Sequence, residues 1–328
     1  MAISKARLAC LIACSLVAIP AFAGENNVPL TTQIVDALNK IYGSHAGFRA
    51  NHAKGVVVEG HFKASADASK LSRAAIFDGS TVPITVRFSD SGGLPTVADG
   101  SPGANPHGMA IKFHLPNGAS SDMVINSLKF FPVASGEEFR DLLVAIGESG
   151  PDATKPTKLD QFKASHPSFE KAFATVATPA SFADEVYYGI DAFVFVDKAG
   201  HKQAVRYQMQ PEKVVHLSAA DAAKKPNDFL VEDMPKRVAQ KAVVFHLKAQ
   251  LAASGDQTKD PSQPWPDDRK VVDLGTLTLD KAVPDSLEAQ KKLLFMPTQL
   301  IDGIETSDDT LPSIRAGAYA VSFARRSH

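Results

Sequence analysis

Near its carboxyl end the chain reads FMPTQLIDGIETSDDTLPSIRAGAY (residues 295–319), and this stretch carries the most specific pattern in the sequence. Arg315 and Tyr319 are four residues apart, so a helix would place both side chains on one face. A phenol, with an ordinary pKa of about 10, is a poor metal ligand until it is ionised, and a guanidinium within about 4–6 Å stabilises the phenolate. An isolated pair of this kind is more often a structural tyrosine beside an arginine, so the surrounding residues decide the interpretation.

Outward from this stretch, most of the chain has the pattern of an antiparallel β protein. Apolar residues at helical spacing predict a first helix over residues 29–42, and β-rich runs follow, separated by Gly, Pro, Asn and Asp. The predicted strands are 56–58, 84–88, 110–115, 123–125, 188–196, 204–209, 242–247 and 271–279. Ser135 with Glu138 predicts a capping box for a helix over 137–146, and a helical pattern covers 158–174. We predict an α+β fold, an eight-stranded antiparallel β-barrel with helical insertions.

The composition is that of an ordinary globular protein. Of 328 residues, 44% are hydrophobic and 22% charged, and 35 Lys and Arg balance 36 Asp and Glu. A net charge of −1 gives no general attraction for nucleic acid or anionic lipid. We therefore expect neither nucleic acid nor a membrane as a partner of the mature chain.

The first residues have the features of a secretory signal peptide. Lys5 and Arg7 precede an apolar run over residues 8–20, and Ala23 ends a small-x-small cleavage site. We expect residues 1–23 to be removed on export to the periplasm, which leaves residues 24–328 as a single domain.

The two cysteines of the chain lie within this leader. They are Cys10 and Cys14. A lipoprotein cleavage box ending at Cys14 is the less favoured alternative, because its apolar core would be too short. Cleavage near Ala23 would leave the mature chain without disulfides or thiolate ligands.

With these motifs the chain resembles the haem-dependent catalase family, and most of all its exported, truncated catalase-related peroxidases. The family's proximal signature combines Phe-x-Pro, Gly-Ile, Ser-x-Asp and Arg-x-x-x-Tyr, and residues 295–319 carry each element at the family spacing. The likeness covers about residues 49–326 and implies haem b, with Tyr319 as the anionic axial ligand of ferric iron. The C-terminal helical domain of full-length catalases is not expected, and the oligomeric state stays open.

The resemblance assigns the peroxide side to RANHAKG at residues 49–55. His52 is expected to take a proton from the peroxide and return it to the departing oxygen, and Ser89 to orient its imidazole. Asn126 is expected to donate to the peroxide. The following segment is one residue shorter than in the family and reads Asn-Ser-Leu-Lys, and His107 stands where the family has arginine.

The resemblance also implies which side chains hold the haem. Three arginines are expected to pair with its propionates, because guanidinium forks match carboxylates. They are Arg49, Arg87 and Arg326. Arg315 is expected to stabilise the ionised ligand. Of Phe130 and Phe131, one should pack on the porphyrin face, and Phe130 is the candidate.

The expected activity is that of a periplasmic haem peroxidase. It would reduce organic hydroperoxides with a small-molecule reductant and dismutate hydrogen peroxide weakly or not at all. An isomerase or dehydratase of fatty-acid hydroperoxides and a true small catalase stay open as alternatives of the same fold. A haem carrier is disfavoured, because a carrier needs no proton-shuttling pair such as His52 and Asn126.

Overall fold

The structure is a computed structural model that describes residues 28–116 and 118–327. The expected leader and its cleavage near Ala23 lie outside these residues. None of the helices that the structure describes is both long and apolar enough to cross a membrane.

Antiparallel strands make up the centre of the molecule. Over the described ranges they are β1 (Gly55–Ala64), β2 (Thr81–Ser89), β3 (Gly108–His114), β4 (Ser120–Asn126), β5 (Thr178–Pro179), β6 (Tyr187–Tyr188), β7 (Phe193–Val196), β8 (Lys202–Pro211), β9 (His216–Leu217), β10 (Val243–Leu251), β11 (Val271–Ala282) and β12 (Ile304–Thr306). β1, β2, β3, β4, β6, β8, β10 and β11 pair in this order, and β11 pairs back with β1. The predicted eight-stranded barrel is confirmed.

Helices fill the connections and cover one end of the barrel. Within the described chain they are α1 (Leu30–Tyr42), α2 (Ala68–Leu71), α3 (Gly136–Gly147), α4 (Lys158–Ser165), α5 (Pro167–Phe173), α6 (Ala219–Ala222), α7 (Phe229–Gln240), α8 (Ser286–Lys292) and α9 (Leu311–Arg326). The predicted first helix is confirmed as α1. It packs on α3 and α9 through an apolar cluster that includes Ile34, Leu38 and Leu143.

Aromatic side chains dominate the barrel core. The phenylalanines with at most 1% of their surface exposed include Phe62, Phe77, Phe88, Phe113, Phe195 and Phe245. Phe62 meets Phe113 edge to face with ring centroids 5.5 Å apart, an arrangement that aromatic quadrupoles favour. Alternation along the strands places the strand rings inside, and Phe77 reaches the core from a short 3-10 helix before β2.

One predicted strand, over residues 188–196, is interrupted. β6 and β7 both pair with β8, at different parts of its length, and Ile190 and Asp191 lie in the gap between them. Both side chains are buried, and each reaches the site described below. The continuous strand was a wrong prediction, because an apolar run does not reveal where a backbone leaves the ladder for a tertiary contact.

Two predicted helix features also differ from the structure. The single helix over 158–174 is two helices, because Pro167 begins α5 and disfavours helical backbone at His166. Ser135 caps α3 as predicted by accepting the Glu138 N–H at 3.2 Å. The reciprocal half of the capping box is wrong, since Glu138 Oε2 accepts the N–H of Ala134 at 2.8 Å.

The contact between β1 and β11 gives a stability prediction. The pairing shifts register between Glu59 and Gly60, and a Cβ on Gly60 would lie 2.0 Å from the Thr278 carbonyl oxygen. Gly60→Ala should therefore lower the free energy of unfolding by about 1–3 kcal/mol in urea denaturation. Gly150→Ala is the control, because its Cβ would meet no atom within 4 Å. Equal stability of the two variants would contradict the close approach.

Candidate active site

A cavity opens between one end of the barrel and the helices α1, α3 and α9. Measured out to its open mouth, it has about 1180 Å³ free of protein atoms. Eight of the nine site residues predicted from sequence lie in its wall, although they come from distant parts of the chain. They are Arg49, His52, Arg87, Ser89, Asn126, Arg315, Tyr319 and Arg326.

His52 precedes β1 and is held by contacts on both its backbone and its ring. Its φ of 54° lies in the left-handed region, a strained conformation for a non-glycine residue, and its carbonyl accepts a hydrogen bond from Arg87 Nη2 at 2.9 Å. Ser89 Oγ lies 3.1 Å from His52 Nδ1. A Cβ on Gly108 would approach Ser89 Oγ to 2.8 Å and His52 Nδ1 to 3.1 Å, so glycine is needed there.

The surroundings keep the His52 imidazole neutral. Burial, followed by the charge of Arg87, lowers the pKa of His52 to about 3. With Nδ1 beside Ser89, the nitrogen Nε2 has no hydrogen-bond partner among the described residues. A neutral imidazole with one uncommitted nitrogen can accept a proton at that atom.

Asn126 ends β4 and presents an amide donor. Its Oδ1 accepts the Leu128 N–H at 2.9 Å, which fixes the orientation of the amide and leaves Nδ2 as the donor. Gly108 is its register partner on β3. The strand ends therefore bring Asn126, Ser89 and His52 to one region, which we call the distal wall.

Tyr319 lies on α9 and shares a guanidinium with a buried carboxylate. Arg315 Nη2 and Nε lie 3.3 and 3.4 Å from the Tyr319 hydroxyl, Nη1 contacts Asp191, and Nη2 also donates to the Val124 carbonyl at 3.2 Å. Burial by itself lowers the pKa of Arg315, but Tyr319 and Asp191 outweigh it, so the pKa is raised above its ordinary value. Arg315 can therefore compensate a negative charge on the tyrosine oxygen.

The Ser-x-Asp motif begins this helix. Asp309 Oδ1 accepts the Leu311 N–H at 2.8 Å, and Ser307 Oγ accepts the Asp309 N–H at 3.2 Å. Capping of this kind satisfies a backbone donor that the first turn leaves without an intrahelical partner. Asp309 thus satisfies the N–H of the first residue of α9, whereas Thr310 at the N-cap makes no side-chain capping bond.

Three arginines meet at another part of the cavity wall. Arg49 and Arg326 donate to the same carbonyl, that of Leu293, at 2.8 and 2.7 Å. Arg87 Nε donates to Gln290 Oε1 at 2.7 Å. Within the described residues, none of the three has a carboxylate within 4.0 Å.

Burial lowers the pKa of all three arginines, and neighbouring guanidiniums lower the pKa of two of them further. Burial, then the charges of Arg87 and Arg326, lowers the pKa of Arg49 well below its ordinary value. Burial and Arg326 lower the pKa of Arg87 to about 9, and burial lowers that of Arg326 to about 10. Arg326 Nε is also buried without a partner in the described chain. The cluster fits an anion that carries more than one negative charge.

Phe130 is the predicted residue that does not line the cavity. Its ring is buried with Leu128 and Ile190 in a separate apolar cluster, and Phe131 lines the cavity instead, 5.2 Å from the ring of Phe139. Neighbouring side chains face different ways, and here Phe131 is the one that faces the cavity. A contact of Phe130 with the porphyrin stays a prediction, and Phe131 is the neighbouring ring that lines the cavity.

Sequence reasoning missed two polar residues of the site. Asp191 is a single acidic residue within an apolar run, and Gln290 lies in a polar helix and belongs to no recognisable motif. Each contacts a predicted arginine across more than 120 residues. Neither contact has a local sequence signal.

The chain is similar to proteins of one family along almost its whole length. The family model for catalase matches residues 30–327. A catalase-related peroxidase of Synechococcus elongatus is 33% identical over 327 residues, which cover 97% of this chain and 94% of the relative. One from Mycolicibacterium paratuberculosis is 36% identical over 299 residues, covering 90% and 94%. A catalase of Vibrio cholerae is 29% identical over 91% of this chain but 62% of its own length.

Solved structures share the fold at lower sequence identity. Catalase A from Saccharomyces cerevisiae superposes with a TM-score of 0.76 at 19% identity, over 86% of this chain and 62% of that one. A bacterial catalase gives 0.73 at 21% identity, over 94% and 63%.

The neutral state of His52 predicts a pH-dependent contribution to stability. The ordinary pKa of about 6.5 applies to the unfolded chain and about 3 to the folded one, so falling pH protonates the unfolded state first. Relative to His52→Gln, the wild-type protein should lose up to about 1.4 kcal/mol of unfolding free energy per pH unit between about pH 6 and 4. Urea denaturation of the cofactor-free proteins measures this difference.

A difference between wild type and His52→Gln that stayed constant with pH would contradict the lowered pKa.

Proposed function

Because the chain belongs to the catalase family, we propose that this member is a periplasmic haem b peroxidase that reduces organic hydroperoxides in preference to dismutating hydrogen peroxide. The broader activity, that of a haem peroxidase oxidoreductase, follows from its family and its catalase-related relatives. The observation that carries the proposal is the convergence on one cavity of a neutral histidine, a tyrosine in contact with a guanidinium, and three arginines without a carboxylate partner among the described residues.

The residues present fit a haem. Two propionates would supply the negative charge that Arg49, Arg87 and Arg326 lack among the described residues, and the apolar walls suit a porphyrin. Tyr319, with its charge compensated by Arg315, would be the side chain that binds the haem iron. When bound, the haem supplies an iron that exchanges electrons with the peroxide and then with the reductant.

The distal wall then supplies the proton chemistry. His52 Nε2 accepts the proton of the peroxide and returns it to the oxygen that departs, while Ser89 holds the other ring nitrogen. Asn126 Nδ2 donates a hydrogen bond without changing its own protonation. A site that only stored haem would need none of these three side chains.

Two observations support organic hydroperoxides and weak dismutation. Apolar side chains of α1 and α3 line the cavity, among them Ile34, Leu38 and Phe139, and an alkyl group gains free energy by contacting them. The two relatives that match this chain along 94% of their own length are named catalase-related peroxidase. The periplasmic location is supported by the leader-like sequence of residues 1–23.

The arginine cluster gives a prediction for haem affinity. Arg326→Gln removes a charge-assisted interaction of about 1.5–3 kcal/mol with a propionate, so haem should bind roughly 10–100-fold more weakly. Absorbance titration of the cofactor-free protein with haem measures this. Arg325→Gln is the matched control, because Arg325 is the neighbouring residue and pairs with Asp36 at 2.6 Å. Equal haem affinity of the two variants would show that Arg326 does not contact the haem.

The activity itself is tested by comparing three reactions of the haem-loaded protein. We expect oxidation of a small donor by cumene hydroperoxide to exceed oxygen evolution from hydrogen peroxide, and His52→Gln to abolish turnover while haem stays bound. Dominant oxygen evolution would identify a true small catalase. Rearranged products from a fatty-acid hydroperoxide without a reductant would identify an isomerase or dehydratase.

A further inference from the structure

We propose that His107 is a buried positioning residue that fixes the distal wall by tying the end of β2 and the end of β4 to the start of β3. The proposal rests on the proposed function, since it concerns the residues that would move the peroxide's proton. His107 itself does not line the cavity. It acts through the backbone that carries Ser89, Gly108 and Asn126.

The first tie joins β3 to β2 through side chains. Ser89 and Gly108 are register partners at the end of that pairing. One residue beyond each, His107 Nδ1 lies 3.1 Å from Asp90 Oδ1, and both side chains are fully buried. This side-chain contact extends the pairing of β2 and β3 by one residue beyond Ser89.

The second tie joins β3 to β4 through two hydrogen bonds. The His107 N–H donates to Ser127 Oγ at 3.0 Å, and the Ser127 N–H donates to the His107 carbonyl at 2.9 Å. Ser127 directly follows Asn126, whose register partner is Gly108. His107 alone therefore fixes the distance between the end of β2, which carries Ser89, and the end of β4, which carries Asn126.

A purely space-filling role fits His107 poorly. Its ring packs edge to face on Phe182 with centroids 5.5 Å apart, yet its Nε2 is buried without a partner in the described chain. Such an atom costs free energy that an apolar side chain of similar size would avoid. The Nδ1 contact with Asp90 is what an apolar side chain could not provide.

The charge states suit a fixed hydrogen bond. Burial lowers the pKa of His107 to about 4 and raises that of Asp90 to about 6. Near neutral pH the imidazole is thus neutral and the carboxylate ionised, so Nδ1–H donates to Asp90.

Small shifts of this backbone would reach the His52 ring. A Cβ on Gly108 would already lie 3.1 Å from His52 Nδ1, so Gly108 has little room to move toward it. Proton transfer needs heavy atoms about 2.6–3.2 Å apart, and a misplacement of about 1 Å can cost roughly 100-fold in rate. Loosening the tie should therefore lower kcat more than it changes KM.

The test compares His107→Leu, which removes the donor, with His107→Asn, whose amide can donate near the position of Nδ1. In the haem-loaded enzyme, His107→Leu should lower kcat roughly 10–100-fold with KM for the peroxide within about twofold, and His107→Asn should recover most of the loss. The matched control is His114→Leu at the other end of β3, where Nε2 lies 2.9 Å from Thr85 Oγ1 of β2. It should keep the wild-type kcat.

A second readout does not depend on turnover. Hydrogen cyanide must give up its proton as the anion binds ferric haem, so the binding rate, followed by absorbance, reports on the position of His52. The rate should fall in His107→Leu and return in His107→Asn. Losses that are equal in both variants and follow only their melting temperatures would overturn the proposal.

Ser127→Ala tests the same connection if His107→Leu does not fold. It removes the acceptor of one of the two β4 ties, so kcat should fall by roughly 3–10-fold. An unchanged kcat and cyanide rate would overturn the proposal. Wild-type protein without peroxidase turnover would reject the proposed function, whereas an active wild type with unaffected variants would reject only the role of His107.

Discussion

The guanidinium of Arg315 is the contact on which the arrangement of the site depends. It joins the Tyr319 hydroxyl on α9, the Asp191 carboxylate in the gap between β6 and β7, and the Val124 carbonyl on β4. A buried cation is tolerated only when such partners compensate it. The same contact therefore joins α9 both to the barrel strand β4 and to the gap between β6 and β7.

The charges of the cavity wall are arranged unevenly. Next to Tyr319, the guanidinium of Arg315 is paired with the carboxylate of Asp191. Arg49, Arg87 and Arg326, in contrast, donate to carbonyl and amide oxygens and have no carboxylate within reach in the described residues. The imidazole of His52 stays neutral because burial and the nearby Arg87 both disfavour its charged form. One cavity thus combines a balanced ion pair, an unbalanced cationic cluster and a neutral base, which suits a cofactor with an anionic edge and a reactive centre.

Several features were predictable because their signals are local. The Arg-x-x-x-Tyr spacing fixes a common helix face, and alternation along the strands indicates the barrel. Phe130 shows where this reasoning stops. It follows β4 outside any strand, and whether it or Phe131 faces the cavity depends on how the backbone turns after Asn126. Glu138 likewise bonds the N–H of Ala134 rather than that of Ser135, a difference that only the chain's entry into the helix decides.

Short segments of the sequence were enough to predict the fold class, because the periods of strands and helices are local properties, and the resemblance to the catalase family supplied the residues expected at the site. Only the tertiary structure decided the partners that adjust those residues. Asp191 and Gln290 reach Arg315 and Arg87 across long stretches of chain, and His107 ties together the ends of three strands. Such contacts depend on how the barrel closes, and closure brings together residues whose positions in the sequence carry no common signal.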